Sequence, residues 1–135
     1  ADALDSKLNG GGFGLRHARY QWSADVRPYI AALDMLALPS VESETFGRVS
    51  IEAQACGVPV LCSNIGGIPE TLSPGVTGML LPPGDVAAWR DAIIAMASDA
   101  AMRKKMAQQG PDWVAQQFSA QVIGRQFEAM LQEGA

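Results

Sequence analysis

Cysteine is scarce in this chain. Cys56 and Cys62 are the whole complement, too few for a disulfide scaffold. Cys56 closes a helical pattern and Cys62 falls in an apolar strand pattern, so both are expected as small buried hydrophobes rather than as a bonded pair. Histidine is scarcer: His17 stands alone beside a glycine-rich start, where a surface position is the plain expectation. Positive charge is short as well. Lys+Arg 10 against Asp+Glu 14 gives a net charge of −4, and phosphate backbones are held by clustered basic charge, so nucleic acid is not an expected partner. The densest basic run, Arg103-Lys104-Lys105, reads as a solvated helix face and is too short for a membrane-surface patch. No apolar run is long enough to cross a bilayer. No charged-then-apolar leader precedes the rest. The expected compartment is therefore cytoplasmic, with any membrane association belonging to a full-length protein.

What the chain does have is a core. At 135 residues and 48% hydrophobic content it has one domain's length and an ordinary globular composition. Its start, ADALDSKLNGGGFGL, lacks the strand with which a self-sufficient α/β domain normally opens, and the expectation is a piece of something longer. Arg19-Tyr20-Gln21-Trp22 is a short strand candidate. Asp25 to Ala32 has helical spacing, with Val26, Tyr29, Ile30 and Leu33 on one stripe. Asp34 to Leu38 is a nearly continuous apolar run that suits a parallel strand buried on both faces. Gly47 to Cys56 predicts a helix ended by Gly57 and Pro59. Val58 to Cys62 predicts a second buried strand, 64–67 a turn, Ile68 to Leu72 one or two helical turns, and Thr77 to Leu81 the last strand. Beyond Asp85 the pattern is helical. Val86, Trp89, Ile93 and Met96 form one stripe, Asp99 caps a second helix that Gly110-Pro111 should break, and Ser119 caps a last helix with Ile123, Phe127, Met130 and Leu131 inward. Strands alternating with helices predict an α/β fold: a partial Rossmann-like parallel sheet of about four strands, with right-handed crossovers, helices on both faces and a helical C-terminal segment.

The chemistry concentrates between Pro39 and Glu70. Glu44 and Glu52 flank the start of a helix at the carboxyl end of a buried strand, where open α/β sheets bind ligands. The first helical turn has N–H groups without intrahelical partners and a partial positive charge. Gly47 lets a ligand approach the backbone closely. The place suits an anion such as phosphate. Ionised carboxylates accept two hydrogen bonds from a vicinal diol, so one phosphate-bearing ligand with a sugar on each side would satisfy the arrangement. That ligand is a nucleotide sugar. The plainer alternative is that Arg48 and Glu52, four residues apart, are an ordinary surface pair and Glu42 and Glu44 solvated loop charges.

At these residues the chain resembles the retaining GT-B glycosyltransferases of the GT4 type. Their signature is two glutamates with seven residues between, here Glu44-Thr45-Phe46-Gly47-Arg48-Val49-Ser50-Ile51-Glu52. Cys56-Gly57-Val58-Pro59-Val60, Gly66-Gly67-Ile68-Pro69-Glu70 and the segment from Thr77 to Asp85 follow in the family's order. The likeness covers roughly Tyr20 to Phe118. It implies that Glu44 contacts hydroxyls of the donor sugar as the catalytic-site carboxylate. Thr45 and the amides of Phe46, Gly47 and Arg48 would line the donor sugar and phosphates, and Glu52 would hold the ribose. A looser match places Tyr20, Gln21 and Trp22 at the base pocket. The family keeps the anomeric configuration and needs neither metal nor other cofactor; the nucleotide-diphosphate sugar is a substrate.

The resemblance makes residues 1–135 a partial donor-binding domain, half of a GT-B fold. The N-terminal acceptor domain is missing, as is the opening of the donor domain, where the family places an Arg and a Lys against the pyrophosphate. The isolated chain is therefore expected to be inactive, and an incomplete sheet exposes an edge through which it could dimerise. Two alternatives keep the fold: a non-catalytic interaction module and a fragment of a sugar-nucleotide epimerase. A third makes the glutamates the acid/base pair of a glycoside hydrolase, which the glycine-rich helix start fits poorly.

Overall fold

A four-residue run, Val60–Ser63, is buried at every position, as a central strand covered on both faces requires. In a computed structural model of the chain, which describes residues 22–133, this run is β2. It pairs in parallel with β1 (Leu36–Leu38) on one side and β3 (Gly78–Leu81) on the other, with Leu36 opposite Val60 and Val60 opposite Gly78. The helices are α1 (Arg27–Ala31), α2 (Arg48–Ala55), α3 (Val86–Ser98), α4 (Ala100–Phe118) and α5 (Ala120–Glu133), and a 3-10 turn spans Ile68–Thr71. The fold is thus the expected partial Rossmann-like α/β sheet.

The side-chain alternation of β2 divides the core in two. Val60 and Cys62 face Ile30, Ala53, Ile68 and Leu72 on one side of the sheet. Leu61 faces Trp89, Met96 and Met106 on the other. Helices therefore cover both faces. The two far-side helices carry their own caps: Asp85 accepts from the Ala88 amide at 3.0 Å and Asp99 from the Met102 amide at 2.8 Å, each satisfying one of the orphan N–H groups of a first turn. Arg103, expected on a solvated face, donates instead to the Met96 and Ala97 carbonyls, 2.6 Å each, and so closes the C-terminus of α3.

Four expectations need correction. The strand at Arg19-Tyr20-Gln21-Trp22 is not borne out where it can be judged: Arg19, Tyr20 and Gln21 lie outside the described residues, and Trp22 is 89% exposed and in no strand. Gly110-Pro111 does not break a helix, for α4 runs through it. Pro111 removes a hydrogen bond to the Ala107 carbonyl, but that carbonyl lies against Gly57. A Cβ at Gly57 would sit 3.5 Å from it, and a Cβ at Gly110 would sit 2.6 Å from the Gln54 carbonyl oxygen. The Gly-Pro step is a notch that lets α4 close onto the end of α2. Third, Ile123, Phe127, Met130 and Leu131 are exposed along α5 rather than inward. Fourth, the stripe of α3 is inward only at Trp89 and Met96; Val86 and Ile93 face outward. Cys56 and Cys62 are both free thiols, as expected, but only Cys62 is buried as anticipated; Cys56 is partly exposed.

Candidate functional site

The site is built where β1 hands over to α2. After Leu38 the chain leaves the sheet through Pro39 and Ser40, loops to Phe46, and enters α2 at Gly47, which takes a left-handed conformation with φ +58°. A side chain there would be strained and crowded, since a Cβ would lie 3.1 Å from Ile68 Cγ1, 3.5 Å from Leu38 Cδ2 and 3.8 Å from Glu44 Oε2. Gly47 also leaves α2 without a side-chain cap. Where α3 and α4 satisfy a first-turn amide with aspartate, α2 has the Ser50 amide bonded back to the Gly47 carbonyl at 3.0 Å and no side-chain cap over the amides of Arg48 and Val49, the electrostatic condition for an oxygen-rich anion.

Glu44 is held from two directions. Ser40 Oγ donates to Glu44 Oε1, and the Gly67 amide donates to the Glu44 carbonyl oxygen at 2.9 Å. The Gly66-Gly67 turn fits only because it lacks side chains. A Cβ at Gly66 would fall 2.4 Å from the Glu44 carbonyl oxygen, and one at Gly67 would fall 2.1 Å from that of Thr45. The Glu44 backbone thus rests on a turn more than twenty residues later in sequence. Its charge also reaches the end of β2: burial pushes the Cys62 thiol up in pKa, a bond to Ser50 pulls it down, and the Glu44 carboxylate adds to the rise.

Glu52 lies one turn along α2, half-exposed, with Arg48 Nη2 3.3 Å from Glu52 Oε1. The ordinary surface pair anticipated as the plainer alternative therefore exists, and an exposed i,i+4 pair of this kind is worth only about 0.3–0.5 kcal/mol. Such a pair holds Glu52 too weakly to prevent its carboxylate from accepting other hydrogen bonds. Phe46 turns away from the loop to meet Phe118 edge-on, ring centroids 5.8 Å apart, and Phe118 meets Trp113 at 5.4 Å. Two clefts border this region. One of ≈ 410 Å³ runs along the loop from Pro39 to Glu44; another of ≈ 410 Å³ lies between Phe46, Arg48, Ile51 and Glu52 on one wall and Phe118 and Ile123 on the other.

Of the residues singled out in the sequence, Glu44, Thr45, Phe46, Gly47, Arg48 and Glu52 converge on this helix start. Tyr20 and Gln21 lie outside the described residues, and Trp22 stands exposed with no strand around it. Among the described residues no three His, Cys, Asp or Glu side chains gather as a metal cluster. Sequence reasoning missed Ser40 as the partner of Glu44, and Phe118 as the partner of Phe46, because neither contact leaves a local pattern. The glycine pair at 66–67 was visible, but only as a turn.

A helix start without a side-chain cap, at the carboxyl end of a parallel strand and flanked by two carboxylates, is a site suited to an oxygen-rich, phosphate-bearing ligand. The family model for glycosyl transferases group 1 matches residues 13–113, and the chain belongs to that family. It is 36% identical over 106 residues to N-acetyl-alpha-D-glucosaminyl L-malate synthase of Bacillus anthracis, covering 78% of this chain and 28% of that protein. It is 44% identical over 73 residues to D-inositol 3-phosphate glycosyltransferase of Mycobacterium bovis, covering 54% of this chain and 15% of that one. The chain thus spans less than a third of the length of either curated relative. Among solved structures, Anabaena HepE in complex with UDP and glucose superposes with a TM-score of 0.85 at 29% identity, over 96% of this chain and 35% of that one. The same protein with UDP-glucose gives 0.84 at 29% identity, over 96% and 36%. The C-terminal domain of a group 1 glycosyl transferase from Francisella tularensis gives 0.74 at 26% identity, over 87% and 61%.

Proposed function

We propose that this chain is the donor-binding region of a retaining glycosyltransferase, which moves a sugar from a nucleotide-diphosphate sugar to a glycan, lipid or small-molecule acceptor. The observation that carries it is the uncapped start of α2 at Gly47, with Glu44 braced on one side and Glu52 on the other. The amides of Phe46, Gly47 and Arg48 receive the phosphates and donor sugar, together with Thr45. Glu44 accepts hydroxyls of that sugar at the reacting end, and Glu52 accepts the ribose diol. Transfer proceeds without a metal or other cofactor. The looser family match would give Tyr20, Gln21 and Trp22 to the base. Solved structures of HepE with UDP and UDP-glucose support a nucleotide sugar as the ligand class.

The acceptor is bound by an N-terminal domain beyond residues 1–135, so the isolated chain binds a nucleotide but turns over nothing. Nucleic acid is not a partner. A titration panel of UDP, GDP, ADP and their sugar conjugates tests this. One diphosphate should shift residues 44–52 in protein NMR, and Glu52→Ala should weaken it by about 10-fold or more, the loss expected for a charged hydrogen-bond acceptor. Absence of binding by the full-length protein, or binding indifferent to Glu52→Ala, would remove the reading. Full turnover by the isolated chain would refute the missing-domain part of it.

A further inference from the structure

We propose that Gln54 is a positioning residue for the donor-sugar carboxylate Glu44, acting from the buried side of α2; the inference rests on the function proposed above. Gln54 is fully buried. Its Nε2 donates to the Thr71 carbonyl at 2.7 Å, to the Ser50 carbonyl at 2.9 Å and toward Ser50 Oγ at 3.0 Å. Its Oε1 has no partner among the described residues. Burying an unpaired amide oxygen is unfavourable, and an apolar side chain of similar volume would fill the same space without that penalty. The amide therefore serves through its N–H groups, and the tightest of these bonds leaves α2 for the 3-10 turn.

The connection then runs to the site. The turn Ile68–Thr71 is closed by Thr71 Oγ1 donating to the Ile68 carbonyl at 2.7 Å. Directly before it, Gly67 donates to the Glu44 carbonyl at 2.9 Å, and Gly66 and Gly67 pack against the Glu44 and Thr45 carbonyls too closely for any side chain. Gln54 cannot withdraw from its end of this link, because α4 lies on its backbone at Gly110. Glu52 sits on α2 itself and needs none of this. Glu44 sits on a loop whose backbone is set by the turn. Gln54 thus fixes the two carboxylates relative to each other, and losing it should disturb the sugar end of the ligand while leaving the ribose end in place.

The test uses the full-length protein with Gln54→Met, and with Thr71→Val as a second variant that removes the bond closing the turn while keeping the Thr71 carbonyl that Gln54 holds. Dissociation constants are measured in pairs: UDP and UDP-glucose, GDP and GDP-glucose, ADP and ADP-glucose. Glu44→Ala serves as the reference. For the pair that binds, both variants should weaken the sugar nucleotide by about 10-fold, one lost hydrogen bond's worth, while the bare diphosphate stays within about 2-fold. Hydrogen exchange at the Gly67 amide should accelerate in the free protein while the amides of α2 keep their rates. A parallel loss for both ligands with Gly67 exchange unchanged would make Gln54 a packing residue only and overturn the proposal. If Glu44→Ala itself fails to separate sugar nucleotide from diphosphate, the assignment of Glu44 falls, and the function of the brace falls with it. That failure is distinguishable because Gly67 exchange is read without any ligand.

Discussion

At the residue scale the site depends on two kinds of glycine, and they can be told apart. Gly66 and Gly75 share a left-handed backbone, φ +58° and +76°. A Cβ at Gly66 would also strike the Glu44 carbonyl at 2.4 Å, whereas nothing lies within 4 Å of one at Gly75. Gly75→Ala should therefore cost about 1–2 kcal/mol, the conformational term alone. Gly66→Ala should cost about 1–3 kcal/mol more, for the overpacking. Urea unfolding of both variants checks this, and equal losses would mean that the turn does not press on the Glu44 loop. The sequence showed Glu44, Gly47 and Glu52 plainly, because their chemistry is carried by spacing along one segment. It hid the contacts of Ser40, Gly66 and Gly67 with Glu44 to different degrees. Ser40 is close in sequence but signals nothing by itself. Gly66-Gly67 signals a turn without saying what the turn supports.

At the element scale, strand and helix positions from Asp34 to Leu81 were legible because period and punctuation agree there: β-rich apolar runs, a glycine after α2, prolines beyond. The helix through Gly110-Pro111 was not. Locally the pair reads as a stop, since proline removes an amide and glycine weakens a helix. What wins is tertiary contact. Gly110 is the point at which α4 meets the Gln54 carbonyl of α2, and the close approach compensates for the weak local helix. Gly110→Ala should destabilise the domain by about 1–3 kcal/mol through overpacking, although alanine is the better helix former. Pro111→Ala should leave the helical signal at 222 nm unchanged because α4 is already continuous. Thermal melts and circular dichroism measure both, and a stabilising Gly110→Ala would show that helix propensity governs the position after all.

At the scale of the whole molecule, a sheet edge and an apolar helix face are exposed among the described residues. β1 is an edge of the sheet among the described residues. The Leu36 amide bonds to the Pro59 carbonyl at 3.0 Å, so by the alternation of a parallel ladder the exposed Ala37 turns its amide and carbonyl away from β2. Along α5, Ile123, Phe127, Met130 and Leu131 are 47%, 61%, 69% and 60% exposed. Their helical spacing correctly announced an amphipathic helix, but periodicity says only that a face is apolar and not which surface it meets, and that is why the inward assignment failed. Both features favour association of the isolated chain, by strand pairing in one case and by apolar burial in the other. Sedimentation velocity on the 135-residue chain should therefore show mass rising with concentration. Ala37→Pro blocks an edge amide without touching α5, and Phe127→Glu breaks the apolar stripe without touching the sheet. Loss of association in the first variant alone assigns it to the edge, and in the second alone to α5. A wild-type chain that stays monomeric at millimolar concentration would mean that neither surface is adhesive. Edge pairing at β1 gains only the outward amide and carbonyl of Ala37, whereas the α5 stripe buries several large side chains at once. The larger effect is therefore expected from Phe127→Glu.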